Sequence, residues 1–163
     1  MPTIRKVIHS VIGFLLGGIM GVSACSAAID TTHAIIHHTA SSDKSAIKIH
    51  EEHKLKTWED KRGNPHYWWG IGYHFVIRAD GNVEEGRPIH MKGAHARGSR
   101  NWKVGIALTG WNDFTPAQIS SLKKLLIKLK TTIIERHSNT CPGPGLDVSA
   151  LAEDLGIKQR GIR

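Results

Sequence analysis

The stretch "AIIHHTAS", residues 34–41, marks the start of the folded domain. Its first three residues are apolar and polar residues follow at once, as in a short buried strand that ends at the edge of a sheet. Two adjacent histidines, His37 and His38, stand at that end, where a side chain can face a cleft. We therefore expect a strand here, with histidine available for binding or catalysis.

Strands and helices alternate along the rest of the chain. Residues 71–88, "IGYHFVIRADGNVEEGRP", alternate around an Asp-Gly turn and predict a β-hairpin, and residues 104–109 form another apolar strand. A helix is expected over 44–58, and an amphipathic helix begins with Thr115 as its N-cap and Pro116 at its first position. The pattern predicts a single α/β domain in which helices flank a central mixed β-sheet.

The net charge limits the classes of partner. The 163 residues carry a formal charge of +8, which favours a polyanionic partner such as a bacterial wall or an anionic lipid surface. Lysine and arginine are scattered, and the chain has neither zinc-finger spacing nor an RNA-recognition aromatic box. Nucleic acid is therefore not expected as a partner.

The first 24 residues have the order of a secretory signal: basic residues, an apolar run and then small residues. The apolar run at 11–20 is too short to span a bilayer. The small-residue end, "VSAC" at 22–25, resembles the bacterial lipobox. We expect cleavage before Cys25 and lipid modification of that cysteine, with ordinary signal cleavage nearby as the alternative.

A lipidated N-terminus implies a compartment. We expect an exported, periplasmic protein that is anchored to a bacterial membrane, and Ser26 after the cysteine favours the outer membrane. Residues 25–33 are predicted to form a tether and residues 34–163 the domain.

The second cysteine, Cys141, lies in "RHSNTCPGPG". If Cys25 is lipidated, Cys141 has no intramolecular partner, and its role is that of a buried inert thiol, an intermolecular bridge or a metal ligand. Thiolate and neutral imidazole are good zinc ligands, and His137 lies close before it, with the third ligand to come from elsewhere in the fold. His50 and His53 on the first helix are interpreted as a solvated helix face rather than as a metal pair.

Seven segments occur in an order typical of one family: "IIHHTA", "GIGYHFVI", "DG-V-EGRP", "GAHA-G", "VGIALTG", "FTPAQ--SL--LL" and "CPG". Together they resemble the zinc-dependent N-acetylmuramoyl-L-alanine amidases, the type 2 amidase and peptidoglycan recognition protein family, which includes phage endolysins. The resemblance covers residues 34–147. It implies the fold of that family and hydrolysis of the amide bond between N-acetylmuramic acid and L-alanine in peptidoglycan or its muropeptide fragments.

The resemblance also assigns residues. It implies a zinc ion held by His37, His137 and Cys141. His38 is then a neighbour in the cleft wall, although one residue of strand slip would exchange the two histidines. Tyr73, in "GYHF", is expected to assist the zinc water or to hold the developing oxyanion.

Further family positions are expected to shape the substrate groove. His74 is expected to pack beneath the groove. His38, His95 and Arg97 are expected to contact substrate.

The chain departs from the family at two places. The segment between His137 and Cys141 is short and carries Asn139 where the family usually has Lys or Thr. Asn139 or Thr140 can donate a hydrogen bond to the oxyanion but cannot supply a positive charge, and loss of one oxyanion donor typically costs about a hundred- to a thousandfold in turnover. Weaker activity, or an earlier end of the preceding helix, is expected. Arg100 stands where asparagine is usual, which bears on substrate preference.

Two other functions compete with an exported hydrolase. One is a non-catalytic peptidoglycan-binding module of the same fold, and the presence of Cys141 favours catalysis over it. The other is a cytoplasmic amidase that recycles wall fragments, which the N-terminal signal opposes.

Overall fold

The computed structural model describes residues 28–59 and 62–162. The predicted signal segment and the lipobox cysteine, Cys25, lie outside the described residues. The described chain contains three α-helices, α1 (Ala46–Lys54), α2 (Pro116–Lys128) and α3 (Val148–Asp154). Its strands are β1 (Asp30–His38), β2 (Thr57–Glu59), β3 (Pro65–Tyr67), β4 (Phe75–Ile77), β5 (Val83–Glu85), β6 (Lys103–Leu108), β7 (Ile133–Arg136) and β8 (Lys158–Arg160).

Six strands form one mixed sheet in the order β5-β4-β6-β1-β7-β8, and β2 pairs with β3 in a separate antiparallel hairpin. β1 lies in the middle and runs parallel to both β6 and β7, while β5 is antiparallel to β4. The predicted α/β fold with a central mixed sheet flanked by helices is confirmed. Because parallel strands end at the same edge, the carboxyl ends of β1 and β7 lie side by side.

The pleat gives the sheet two chemically different faces, because successive side chains of a strand point to opposite sides. The apolar face packs under α2 and α3 and holds the main core. Its sheet residues are Ala34, Ile36, Ile77, Val104, Ile106, Leu108 and Ile134. We call the opposite side the histidine face; it carries His33, His37, Glu135 and His137.

β1 begins at Asp30, so the prediction that the tether extends to residue 33 is wrong for its last four residues. His33 is buried and its Nε2 lies 3.2 Å from Oε2 of Glu135 on β7. Polar composition suggested a tether, but the imidazole has a carboxylate partner inside the fold. The strand therefore continues through polar residues.

The helix predictions hold at their starts better than at their ends. Thr115 is the N-cap of α2 and Pro116 lies in its first turn, as predicted, and Gln118 completes a capping box with Thr115. α1 is shorter than the predicted 44–58, because β2 begins at Thr57 within that range and pairs with β3. No helix of the described residues has the length and apolar character needed to cross a bilayer.

Candidate metal centre and active site

Three side chains that suit a metal ion meet at the carboxyl edge of the sheet. Single ligand atoms of His37, His137 and Cys141 all lie within 4.8 Å of one another. His37 is near the end of β1 and His137 directly follows β7, so the parallel pairing of these strands brings the two rings together, with centroids 4.4 Å apart. The structure thus gathers the three residues predicted as zinc ligands.

The short segment before Cys141 forms a tight turn. Ser138 N–H donates to the carbonyl of Cys141 at 3.1 Å, and Cys141 N–H donates back to Ser138 at 3.3 Å. The turn returns the thiol to the side of His137, and Sγ accepts a hydrogen bond from the backbone N–H of His38 at 3.4 Å. The shortened loop is therefore compatible with the ligand set.

The pleat decides which histidine of the adjacent pair joins the cluster. His37 is on the histidine face, and His38 points to the other side of the strand. The ring of His38 stacks on Trp111 at 5.2 Å, and its Nε2 lies 3.2 Å from the carbonyl oxygen of Thr140. His38 still lines the site cavity, so it remains a wall residue and not a member of the cluster.

His95 holds His37 in one tautomer. Nε2 of His95 lies 3.1 Å from the carbonyl of Lys103, which can only accept, so this nitrogen carries the proton. Nδ1 of His95 must then accept from Nε2–H of His37 at 3.0 Å. That arrangement leaves Nδ1 of His37 with its lone pair free for a metal.

The substrate contact expected of His95 stays a prediction: the ring lines the site cavity, but it also has an internal role. Its two ring nitrogens are both engaged within the protein, and the side chain is buried. Glycine makes room for the ring: a Cβ on Gly105 would lie 2.4 Å from Cδ2 of His95, and one on Gly93 would lie equally close. His74 is likewise buried, and its ring nitrogens bond to backbone groups of Gly105 and Met91, in keeping with the packing role expected of it.

The electrostatics of the cluster favour uncharged ligands. Burial lowers the pKa of His37 well below its usual value, and the charges of neighbouring His95 and His137 lower it further. Burial and the Arg100 guanidinium lower the pKa of His137. Burial raises the pKa of the Cys141 thiol, so a metal that binds it displaces a proton. Two neutral imidazoles and a thiolate form a suitable donor set for zinc, with a fourth position left for water.

Tyr73 lies in the same cavity, which has a volume of about 360 Å³. Its ring centroid is 5.1 Å from that of His37. Burial, together with Cys141, raises the pKa of Tyr73 to about 12. The phenol is therefore protonated at neutral pH and can act as a hydrogen-bond donor.

The loop residues Asn139 and Thr140, both predicted as oxyanion donors, are placed differently. Thr140 lines the cavity, and its Oγ1 lies 3.3 Å from the hydroxyl of Ser138. Asn139 is exposed and is not part of the cavity wall. The prediction for Asn139 is therefore not supported by its position, and Thr140 is the better placed of the two.

The cavity residues that the sequence did not indicate include His53 and Lys56. His53 is 7% exposed and lines the cavity, so the interpretation of His53 as part of a solvated helix face is wrong. The signal was present in the helical spacing, because Ala46, Ile49 and His53 form the buried side of α1. Lys56, just beyond α1, also lines the cavity, and its Nζ lies 5.7 Å from the ring centroid of Trp68.

A wider groove of about 700 Å³ adjoins the cavity and shares His95 and His137 with it. Its aromatic wall comes from the end of β3 and the residues after it, Tyr67, Trp68 and Trp69. Arg97, predicted to bind substrate, lines this groove. The arrangement suits an elongated substrate whose scissile bond lies over the cluster.

Comparison with known proteins agrees with this geometry. Residues 28–144 match the family model described as N-acetylmuramoyl-L-alanine amidase. The endolysin of Klebsiella phage KP32 is 31% identical over 125 residues, which is 69% of this chain and 78% of the phage protein. Peptidoglycan-recognition protein SC2 of Drosophila melanogaster is 38% identical over 116 residues, 68% of this chain and 61% of the fly protein. The solved structure of N-acetylmuramoyl-L-alanine amidase LysC from Clostridium intestinale URNW superposes with a TM-score of 0.65 at 33% identity, covering 82% of this chain and 89% of that one.

Proposed function

Since the chain belongs to the N-acetylmuramoyl-L-alanine amidase family, we propose that it is a zinc-dependent hydrolase of the bond between N-acetylmuramic acid and L-alanine in peptidoglycan or muropeptides. The observation that carries the proposal is the convergence of His37, His137 and Cys141 at one edge of the sheet. Zinc bound there would supply a water whose pKa is lowered to about 7 and would polarise the scissile carbonyl.

The protein's own groups complete the chemistry. Tyr73, protonated at neutral pH, donates a hydrogen bond to the carbonyl oxygen as that oxygen gains negative charge. The Thr140 hydroxyl is a second donor at the cavity wall, and Lys56 contributes a positive charge to the same cavity. Together they offset the missing Lys or Thr before the cysteine.

The groove beside the cavity orients the substrate. Its aromatic wall packs against the sugar or peptide, and Arg97 faces the carboxylates of a stem peptide. The net charge of +8 attracts the protein to an anionic wall.

Zinc content and hydrolysis test the proposal together. Protein that starts at residue 26 is expected to contain about one zinc per chain and to release peptides with new L-alanine amino termini from peptidoglycan. Cys141→Ser and His137→Ala should lose both properties, whereas the exposed control His90→Ala should keep both. Undiminished zinc in both ligand variants would refute the assignment.

A peptidoglycan-binding module is the second candidate, favoured by the similarity to a peptidoglycan-recognition protein. Zinc-loaded protein that binds muropeptides without releasing peptides would support this function and exclude the hydrolase.

The export signal and the lipid anchor are a separate proposal. Labelled palmitate should be incorporated into the full chain and not into Cys25→Ala. A wild-type chain that takes up no label excludes the anchor, and the amidase proposal stands independently of that result.

A further inference from the structure

Arg100 reaches from the short 3-10 turn at Gly98–Trp102 to the end of β7. Its Nη1 donates to the carbonyl of His137 at 3.0 Å, and its Nη2 donates to the carbonyl of Arg136 at 2.8 Å. Nη2 also lies 2.9 Å from Oε1 of Glu135. One planar guanidinium thus holds three consecutive residues.

The backbone of His137 is fixed on two sides as a result. Its N–H donates to the carbonyl of Ile36 on β1 at 3.1 Å, and its carbonyl accepts from Arg100. Immediately afterwards the chain enters the tight turn that leads to Cys141. The direction of the His137 side chain depends on the last peptide groups before this turn.

Glu135 keeps the guanidinium in place. Its side chain is only 4% exposed, and it is shared between Arg100 and Nε2 of His33 at 3.2 Å. Loss of one partner would leave the buried Glu135 carboxylate with uncompensated charge, which is strongly destabilising. This cost keeps the Arg100 side chain in its position.

We propose that Arg100 is a positioning residue for the metal centre: by holding both carbonyls at the end of β7, it sets His137 at ligand distance from His37 and Cys141. The inference rests on the proposed function, because it takes His137 as a metal ligand. Arg100 stands where asparagine is usual in the family, and this difference was expected to affect substrate preference. The inference gives Arg100 a structural role instead. The terminal nitrogens of Arg100 are bound to protein carbonyls and a carboxylate.

Zinc affinity, measured by competition with a chelating indicator, tests the inference without using catalysis. Arg100→Ala should bind zinc about ten- to a hundredfold more weakly, the usual effect of losing a partner outside the ligand shell. Arg100→Lys keeps a cation beside Glu135 but cannot span two carbonyls with a single ammonium. It should recover much of the stability lost in Arg100→Ala while its zinc affinity stays reduced.

His33→Ala is the matched control. It removes the other partner of Glu135 and lowers stability, yet it leaves the two carbonyl contacts intact. Its zinc affinity should remain within about twofold of wild type. The absorption spectrum of cobalt-substituted protein should change in the Arg100 variants and not in His33→Ala.

Wild-type affinity in Arg100→Ala overturns the inference and leaves the proposed function standing. Equal weakening in Arg100→Ala and His33→Ala also overturns it, because a general loss of stability would then explain the effect. Wild-type protein that binds no zinc overturns the proposed function and the inference together. If Arg100→Ala does not fold, Arg100→Lys against His33→Ala gives the answer.

Discussion

The two faces of the sheet are built from the same strands but by different rules. The apolar face is filled with aliphatic side chains under α2 and α3. The histidine face buries imidazoles, a carboxylate and a thiol, each of which needs a specific partner. Neighbouring residues such as Ile36 and His37 therefore belong to different systems, one that stabilises the fold and one that holds the site.

Buried polar atoms without a hydrogen-bond partner cluster around the site. Among the described residues, the buried side-chain nitrogens and oxygens without a partner are His38 Nδ1, His53 Nδ1 and Arg100 Nε. All three residues surround the candidate metal centre. None of them, among the described residues, belongs to the aliphatic core under α2 and α3, so the packing of that core has to offset the cost of burying the site.

The largest expected effect comes from His37→Ala. Removing this ligand should abolish zinc binding and lower amide hydrolysis by more than about a thousandfold, because metal polarisation is worth several kcal/mol of transition-state stabilisation. Zinc analysis and peptide release measure the two losses. Retained zinc would show that the histidine face does not hold the ion.

Substitution of Ile36, the neighbour of His37 on the opposite face, should reduce stability and leave zinc binding unchanged. Ile36→Ala leaves a cavity in the main core and should lower the free energy of unfolding by about 2–5 kcal/mol. Zinc per folded molecule should be unchanged. Urea unfolding combined with metal analysis checks both, and a loss of zinc without a loss of stability would contradict the division between faces.

Gly105→Ala tests whether the histidine face tolerates any added volume. The new Cβ would lie 2.4 Å from the His95 ring, so we expect about 1–3 kcal/mol of destabilisation from overpacking. Zinc affinity should fall about tenfold because His95 orients His37. Gly161→Ala is the control, since no atom lies within 4 Å of its added Cβ. Equal stability of the two variants would contradict the prediction.

The smallest effect is a pH dependence of the metal-free protein. Burial, aided by Lys56 and Arg87 and opposed by Glu52, lowers the pKa of His53 to about 4, below the value of about 6.5 expected in the unfolded chain. The unfolded state takes up a proton first, so stability is complete above about pH 6.5 and is lost as the pH falls towards 4. At about pH 5.5 the loss from this group should be about 1 kcal/mol.

His53→Leu provides the comparison for that experiment. Urea unfolding at about pH 7.5 and about pH 5.5 should show a smaller loss in the variant than in wild type. An identical loss in both proteins would show that His53 is not responsible.

Sequence patterns predicted the elements whose signals are local. Thr115 and Pro116 marked the start of α2, the Asp-Gly turn marked the β4–β5 hairpin, and family resemblance named the three residues of the cluster. β7 was missed because "TTIIERH" continues from α2 without a glycine or proline breaker. Only the left-handed backbone of Lys130, with φ of 55°, marks the change of direction.

The parts that could not be predicted depend on contacts between distant segments. His95 bonds to the backbone carbonyl of Lys103, and Arg100 bonds to that of His137. The spacing of residues in the sequence does not show which backbone carbonyl a side chain will reach. The order of His37 and His38 required the register of β1, which the pairing with β6 and β7 fixes.

The position of β1 between β6 and β7 has a mechanical consequence. A cation shared by His37, His137 and Cys141 would cross-link β1 to the end of β7, two strands that lie about a hundred residues apart in the chain. Binding of the ion to the folded state favours folding by mass action. The ion would therefore stabilise the middle of the sheet in addition to its part in catalysis. Chelation would then loosen the strands that carry the ligands, and the protein would lose rigidity where it loses chemistry.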